Sequence, residues 1–278
     1  MSTKLGFIGG GNMAASLIGG LLSPTGSPAL IDAGNLWVFD KDLDKLAQLR
    51  KQYGVQCAEH SQQLIAECDA VVLAVKPQVL EAVLSPLAES FKSTTPLLIS
   101  VVAGIRSDTI ERWIGRECAV VRVMPNTPAL IGAGASGMYA NRLVTAEQKT
   151  LTTTLLDSVG MTRWVDEENA IDLVTALSGS GPAYFMLFIS SLIDAAVSAG
   201  MDEATARALA LQTALGSAQL VAGSDQSIES LIKNITSPGG TTEQAVKSFH
   251  DSGLSSIVAD AFSAARRRSE QLAIELDQ

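Results

Sequence analysis

The sequence has few cysteines, and they lack the spacing of a metal site or a disulfide framework. Cys57, Cys68 and Cys118 form neither a Cys-x-x-Cys pair nor a Cys/His cluster along the chain. This pattern disfavours bound zinc and is typical of a protein from a reducing compartment. We therefore interpret all three as small buried hydrophobic side chains and expect no metal site.

Long uninterrupted apolar runs are also missing. Charged, glycine or proline residues interrupt every apolar stretch before it reaches the ~20 residues that a membrane-spanning helix needs. The opening residues MSTKLGFIGGG carry a single lysine and run into glycines, so they predict a first strand rather than a secretion signal. We expect a cytoplasmic protein that makes no membrane contact.

Basic charge is scarce, because 20 lysines and arginines oppose 29 acidic residues and leave a net charge of -9. Such a surface does not attract polyanions, which disfavours nucleic acid and anionic membranes as partners. The basic run at 266–268 fits the negative end of a helix dipole better than it fits a bound phosphate. His60 and His250 lie outside every motif and are predicted to be surface residues.

The first half of the chain alternates short apolar runs with amphipathic stretches, which is typical of βαβ units around a parallel sheet. We therefore predict an α/β Rossmann-type N-terminal domain over residues 1–165. The predicted strands are 4–9, 36–39, 70–74, 97–101 and 120–124, with 134–140 and 161–165 as extensions of the sheet. The predicted helices are 12–22, 42–53, 61–67, 78–90 and 107–113.

From Glu168 onward, Ala, Leu, Ser and Ile at helical spacing predict four or five helices. The stretch 185–197 is apolar on nearly every face, and 204–221 is rich in alanine on most of its circumference. A surface helix needs only one apolar stripe, so we predict that these helices are buried between two subunits. Residues 166–278 are thus predicted to form an all-α domain for dimerisation and substrate binding, with a cleft at the domain boundary.

The strongest local motif is GFIGGGNMA, in which Gly9, Gly11 and Ala14 fit the pattern G-x-G-x-x-A. Gly9 permits a tight turn, Gly11 lets the backbone approach a pyrophosphate, and Ala14 permits close helix packing. The following helix start offers free N–H groups to phosphates. Because an apolar strand precedes the motif and further β/α units follow it, we favour dinucleotide binding over a plain glycine-rich turn.

The second predicted strand ends where Rossmann proteins select their cofactor. Asp40 at this position would accept a hydrogen bond from a ribose 2′-hydroxyl and favour NAD. Lys41 would instead pair with the 2′-phosphate of NADP. The sequence leaves both cofactors open.

Two more motifs follow predicted strands, at the sheet edge where ligands of open α/β folds bind. In AVKPQ, Lys76 is either a general acid or a solvated charge, and we favour the solvated charge. Pro77 suits the first turn of a helix. The loop 122–128, RVMPNTP, is either a rigid turn or a turn that lies against the nicotinamide end of a cofactor.

Two glycine motifs interrupt the C-terminal helices. In LSGSGPAY, Pro182 is placed to begin a helix that Ser178 or Ser180 would cap. In TSPGGTTEQ, the spacing from Thr241 to Gln244 is that of a capping box. The second motif serves either to cap a helix or to hold a small carboxylate on backbone N–H groups.

Taken together, GFIGGGNMA, AVKPQ, RVMPNTP, ALSGSGPAY and TSPGGTT, in this order along most of the chain, resemble the motifs of pyrroline-5-carboxylate reductases. The resemblance implies reduction of 1-pyrroline-5-carboxylate to L-proline with NADP(H) or NAD(H), the last step of proline biosynthesis. It also implies a helical domain that intertwines into a homodimer, which in turn assembles into a larger homo-oligomer such as a decamer.

The resemblance further implies two sets of site residues. The cofactor-binding positions are Ile8, Gly9, Gly10, Gly11, Asn12, Met13, Asp40, Lys41, Ser61, Ala74, Val75, Lys76, Pro77, Val102, Ala103 and Gly104. The substrate-binding positions are Glu168, Asn234, Ser237, Gly239, Gly240, Thr241 and Thr242.

The chemistry that the resemblance implies needs positioning more than a strong acid, because a cyclic imine is basic enough to be partly protonated near neutral pH. We expect the Thr242 hydroxyl to hydrogen-bond the ring nitrogen, and the N–H groups around 240–242 to bind the substrate carboxylate. Lys76 is expected to add positive charge near that carboxylate or near the cofactor.

Two alternatives have the same two-domain architecture: a 3-hydroxyacid dehydrogenase and an imine reductase. The dehydrogenases carry a catalytic lysine shortly after a glycine-rich motif, whereas here Pro-Ala-Tyr-Phe-Met follows Gly181 and no lysine appears until Lys233. A non-catalytic NAD(P)-binding regulator is a third alternative. It would be expected to carry a degraded TSPGGTT loop, and this loop is intact.

Overall fold

The computed structural model describes residues 3–22 and 29–277, and in them eight strands form one sheet. The strands are β1 (Leu5–Ile8), β2 (Leu36–Phe39), β3 (Gln56–Cys57), β4 (Ala70–Leu73), β5 (Leu97–Ser100), β6 (Val120–Met124), β7 (Gly134–Ala140) and β8 (Gly160–Trp164). The first six helices alternate with them: α1 (Asn12–Leu22), α2 (Leu43–Tyr53), α3 (Ser61–Glu67), α4 (Pro77–Leu84), α5 (Ser107–Ile114) and α6 (Ala146–Asp157).

The sheet has the order β3-β2-β1-β4-β5-β6-β7-β8. Its first six strands are parallel and follow the doubly wound Rossmann order, so the predicted fold class of the N-terminal half is confirmed. Strand β7 runs antiparallel to β6, and β8 pairs in parallel with β7. Strand order reverses between β1 and β4, and in such sheets the ligand crevice lies at this switch point.

Buried side chains cover both faces of the sheet, in two clusters. One cluster joins the sheet to α1, α2 and α6, and the other joins it to α3, α4 and α5. Strand β4 reads AVVL and is buried at every position, as expected for a central parallel strand with helices on both sides. This two-sided cover fixes the loops at the carboxyl ends of β1, β2 and β4.

Three parts of the sheet domain differ from the sequence predictions. The two-residue strand β3 and helix α6 were not predicted. The predicted helix 78–90 ends at Leu84 and continues only as short 3-10 turns. The reason is Pro86, which has no backbone N–H and whose ring clashes with the preceding turn of an α-helix.

The described residues after the last strand form six helices, where four or five were predicted: α7 (Ala170–Val174), α8 (Gly181–Ser198), α9 (Glu203–Ala222), α10 (Ile228–Asn234), α11 (Thr241–Asp251) and α12 (Leu254–Leu276). The chain divides into two compact units, one running to Ser180 and including the segment from Ala265, the other spanning Gly181–Ala264. This division lies elsewhere than the boundary predicted at 165, which marks where the strands stop. The functional division into 1–165 and 166–278 stays a prediction.

One helical stretch in the described residues, Ala170–Ser198, is long and apolar enough to cross a membrane by length and composition. The stretch contains charged, glycine and proline residues, as the sequence analysis noted, but these residues do not break the helix. Gly179 lies in a π-helical turn, Thr175–Gly179, and Pro182 lies in the first turn of α8, so the chain stays helical throughout. Only 11% of the most apolar window is buried within the single chain.

Candidate active site

The glycine loop after β1 has the backbone that the motif predicts. Gly9 has a φ of 104°, and a Cβ added to it would lie 2.5 Å from the carbonyl oxygen of Ala74, so only glycine fits. Its N–H donates to the Phe39 carbonyl at 2.8 Å. A Cβ on Gly11 would meet no atom within 4 Å, which leaves open space beside the loop where a diphosphate can approach the backbone.

A pocket of about 320 Å³ opens beside this loop, at the switch point of the sheet. Its lining includes eight of the predicted cofactor residues, namely Ile8, Gly9, Gly11, Asp40, Lys41, Ala74, Val75 and Lys76. It also includes four residues that were not predicted: Phe39, Lys45, Val79 and Val83. A larger surface depression near His60 and Glu67 contains none of the predicted residues.

Helix α1 begins at Asn12, directly after the loop, and has no acidic residue in its first turn. Its positive end and free N–H groups are therefore available to an anion. On the other side of the loop, the Asp40 carboxylate accepts the Gly10 N–H at 2.7 Å and the Asp42 N–H at 2.9 Å. The glycine loop and the end of β2 are thus joined by a carboxylate.

Lys76 is the N-cap residue of α4, and Pro77 occupies the first turn of that helix, as predicted. The Lys76 side chain is exposed, and its ammonium group has no hydrogen-bond or ion-pair partner among the described residues. This environment fits the solvated charge favoured from the sequence. Its place on the pocket lining also keeps that charge within reach of a bound anion.

The other predicted cofactor residues do not line this pocket. Ser61 is the first residue of α3, and Val102 is buried in the core cluster on that face of the sheet. Gly104 has a φ of 76°, and a Cβ on it would lie 3.2 Å from Cδ1 of Leu276 near the end of α12. Packing against α12 is therefore one reason for glycine at this position, and its contact with a cofactor stays a prediction.

Glu168 is engaged by donors of the protein itself. Its carboxylate accepts hydrogen bonds from the Ser107 N–H at 2.7 Å, the Ser107 hydroxyl at 2.9 Å and the Arg122 guanidinium at 3.0 Å. Its side chain is 10% exposed and that of Arg122 is 6% exposed. Burial lowers the pKa of Arg122, and the charge of Glu168 opposes this shift. Glu168 is thus the counter-ion of Arg122 and holds the start of α5, and its contact with a substrate stays a prediction.

The loop after β6 is held by hydrogen bonds, which is compatible with both interpretations of its sequence, and its contact with a nicotinamide stays a prediction. The buried Asn126 donates from Nδ2 to the Ser178 carbonyl at 3.0 Å and accepts the Ala135 N–H at 2.9 Å. The predicted capping by Ser178 or Ser180 is wrong, because α8 continues a helical chain and has no free first turn at this point. The Ser178 hydroxyl donates to the Val174 carbonyl, and the Ser180 N–H donates to the Thr175 carbonyl.

In the second compact unit, α11 begins with unoccupied backbone donors. Its N-cap residue is Gly240, and no side chain of the described residues caps it. The predicted capping box from Thr241 to Gln244 is wrong, because Thr241 is already the first helical residue. The loop before the helix is closed by the Gly240 N–H to the Ser237 carbonyl and by the Gly239 N–H to the Glu243 carboxylate.

Two further predicted substrate residues are Thr242, the second residue of α11, and Asn234, the last residue of α10. Asn234 Nδ2 donates to Oε1 of Gln226 at 3.0 Å, and the Asn234 side chain is exposed. The arrangement in this unit is therefore a helix start without a capping side chain, beside glycines and threonine hydroxyl groups, with the nearby Glu243 carboxylate already bound to the Gly239 N–H. Its backbone N–H groups suit a small carboxylate.

Comparison with known proteins gives matches along the whole chain. A family described as "Pyrroline-5-carboxylate reductase dimerisation" matches residues 168–272, and one described as "NADP oxidoreductase coenzyme F420-dependent" matches residues 4–104. The chain is 44% identical to the pyrroline-5-carboxylate reductase of Pseudomonas aeruginosa over 279 residues, with 100% of both chains covered.

Solved structures match over the same extent. A pyrroline-5-carboxylate reductase from Coxiella burnetii is 38% identical with a TM-score of 0.92, covering 98% of this chain and 99% of that one. A pyrroline carboxylate reductase from Plasmodium falciparum, solved with NADP bound, is 34% identical with a TM-score of 0.84 and covers 98% of each chain. The chain belongs to the pyrroline-5-carboxylate reductase family.

Proposed function

We propose that this chain reduces 1-pyrroline-5-carboxylate to L-proline with NADH or NADPH, as the last step of proline biosynthesis. The observation that carries this function is identity of 44% along the full length of a relative that bears the enzyme's name. The glycine loop independently supports the cofactor part of this function, since Gly9 makes the tight turn and Gly11 leaves open space that a side chain would fill. When bound, a reduced nicotinamide supplies the hydride that the C5 imine carbon accepts.

The residues around the glycine loop hold the cofactor in this account. Gly11 and the start of α1 bind the diphosphate through backbone N–H groups, because no side chain intervenes. The residues that complete the contact surface are Ile8, Gly9, Gly10, Asn12, Met13, Asp40, Lys41, Ala74, Val75, Lys76 and Pro77. Ser61, Val102, Ala103 and Gly104 are included on the resemblance alone.

The start of α11 binds the substrate in this account. The N–H groups of Thr241 and Thr242 hold the carboxylate, because the N-cap residue Gly240 presents no side chain to them. The Thr242 hydroxyl hydrogen-bonds the ring nitrogen and orients it, while Ser237, Gly239 and Asn234 flank the site. The exposed Lys76 ammonium adds positive charge near the substrate carboxylate or near the cofactor.

The chain forms a homo-oligomer, and we propose a homodimer built on α8 and α9 that assembles further, for example into a decamer. The dimerisation family matches both helices. The large apolar side chains of α8 are exposed in the single chain, including Phe185 at 74% and Leu187 at 69%. A second subunit that covers them would account for the apolar stretch without a membrane, in a cytoplasmic enzyme that does not bind nucleic acid.

Replacement of Thr242 tests the substrate assignment. Thr242→Ala is expected to lower kcat/KM for pyrroline-5-carboxylate by about tenfold or more, the effect typical of losing a positioned hydrogen-bond partner, and to leave cofactor affinity unchanged. Thr150→Ala is the matched control, since Thr150 is an exposed helical threonine on α6. Equal losses of substrate turnover and cofactor affinity would show that Thr242 is misplaced. Cofactor binding without turnover in the unmodified chain would favour the non-catalytic regulator.

A further inference from the structure

The Asp40 carboxylate is fixed by the backbone on both of its oxygen atoms. Oδ2 accepts the Gly10 N–H at 2.7 Å, and Oδ1 accepts the Asp42 N–H at 2.9 Å. A Cβ on Gly10 would lie 3.5 Å from Oδ2, so the loop and the carboxylate are in close contact. The carboxylate therefore cannot turn away from the pocket that it lines without breaking a hydrogen bond.

The two backbone hydrogen bonds leave acceptor positions of the Asp40 carboxylate free. An ionised carboxylate has about four acceptor positions, so two remain after Gly10 and Asp42 are satisfied. Ribose hydroxyl groups are donors and match them. A 2′-phosphate carries up to two negative charges and no donor when fully ionised, so it meets the same carboxylate as a like charge.

The neighbouring lysines do not neutralise Asp40. The Lys45 ammonium lies 3.4 Å from Asp42, and the Asp42 carboxylate also accepts the N–H groups of Asp44 and Lys45 at the start of α2. Lys45 is therefore already paired with Asp42. The Lys41 side chain is exposed, and its ammonium group has no partner among the described residues. Lys41 lines the same pocket as Asp40, but its charge is on a flexible, exposed side chain and is therefore screened more than a carboxylate that two backbone N–H groups hold in place.

We infer that Asp40 selects NADH over NADPH, because the glycine loop holds its carboxylate at the ribose end of the pocket as a fixed acceptor and a fixed negative charge. This inference rests on the proposed cofactor site and concerns the adenosine ribose end of it. Asp40 also shapes the glycine loop, so its replacement affects the affinity of both cofactors. The ratio of the two affinities separates selection from shaping.

The test is a comparison of NADH and NADPH in the unmodified chain and in Asp40→Asn. Dissociation constants come from the fluorescence of the reduced nicotinamide, and kcat/KM comes from turnover of pyrroline-5-carboxylate. The unmodified chain is expected to favour NADH by about tenfold or more in both measurements. Asp40→Asn removes the charge and keeps an acceptor oxygen, so it is expected to reduce this preference by about tenfold. Asp44→Asn removes the same charge from an exposed position on α2 and is expected to leave the ratio unchanged.

A preference for NADPH in the unmodified chain would overturn the inference. If Lys41→Ala then lost this preference for NADPH, Lys41 would be the residue that binds the 2′-phosphate. An unchanged ratio of NADH to NADPH affinity in Asp40→Asn would also overturn the inference, because Asp40 would then only stabilise the conformation of the glycine loop. If Asp40→Asn does not fold, as judged by its melting temperature, the cofactor preferences of the unmodified chain and of Lys41→Ala still test the inference. Tighter binding of NADH without turnover would overturn the proposed function and leave this inference standing.

Discussion

The Arg122 guanidinium donates to the Glu168 carboxylate at 3.0 Å, although the two residues are 46 positions apart in the chain. Both side chains are nearly buried, and the same carboxylate accepts two hydrogen bonds from Ser107. The pair joins β6, the start of α5 and the segment before α7. It thereby fixes the end of the loop that runs from β5 to α5, in which the predicted cofactor residues Val102 and Gly104 lie.

Removal of Glu168 is expected to destabilise the chain strongly. Glu168→Ala leaves the Arg122 charge buried without a partner, which typically costs about 3–5 kcal/mol of unfolding free energy. Urea unfolding measures this loss. Glu167→Ala is the matched control, because Glu167 is exposed and adjacent in the chain, and it is expected to cost less than about 0.5 kcal/mol. Similar small losses in both variants would contradict the structural role of the pair.

Added bulk at Gly11 is expected to abolish cofactor binding without unfolding the chain. A Cβ at this position meets no atom within 4 Å, so the side chain of Gly11→Val occupies open space where the diphosphate approaches. Gly34→Val is the control, since a Cβ on Gly34 also meets nothing within 4 Å and the residue lies outside the pocket. Calorimetric titration with NADH and NADPH measures the difference. Normal binding by Gly11→Val would show that the diphosphate lies elsewhere.

Two of the three cysteines are expected to resist alkylation in the folded chain. Cys68 and Cys118 are buried, and burial raises the pKa of each thiol to about 12. The reactive thiolate is thus almost absent at pH 8. Iodoacetamide labelling followed by mass spectrometry is expected to modify them only after denaturation. Labelling of either residue at the rate of a free thiol, in protein that remains folded, would contradict the buried positions.

The exposed apolar side chains of α8 are expected to lie at a subunit interface. Leu187→Asp places a charge among them, so it is expected to dissociate the oligomer or prevent its formation. Leu43→Asp is the control, because Leu43 is 75% exposed on α2 in the other compact unit. Sedimentation velocity is expected to show an oligomer for the unmodified chain and for Leu43→Asp. An unchanged oligomer in Leu187→Asp would place the interface elsewhere.

The elements that were predicted correctly are those whose sequence pattern lies within a few consecutive residues. Strands β2 and β6 are short apolar runs with turn residues around them, and their bounds match the prediction. Strand β3 has two residues and therefore no periodicity. Helix α6 is rich in threonine, which has a low helix propensity, and only the capping box of Thr145 and Gln148 marks its start.

In the candidate site, too, the features that a local motif encodes were predicted, and the contacts between distant segments were not. The roles of Gly9 and Gly11 follow from a local motif, and the structure confirms the backbone that the motif requires. The partners of Glu168 could not be predicted, because they come from β6 and α5 and meet only in the folded chain. The bond from Gly10 to Asp40 likewise joins two elements that are 30 residues apart. Such contacts depend on the packing of the sheet, for which no single segment carries a signal.

The most direct test is the conversion of 1-pyrroline-5-carboxylate by the purified chain with NADH and, separately, with NADPH. Oxidation of the nicotinamide is followed by absorbance, and the product is identified as L-proline by chromatography. The account predicts turnover with at least one cofactor and one molecule of L-proline for each cofactor oxidised. A folded, oligomeric chain that binds the cofactor and forms no L-proline would contradict it.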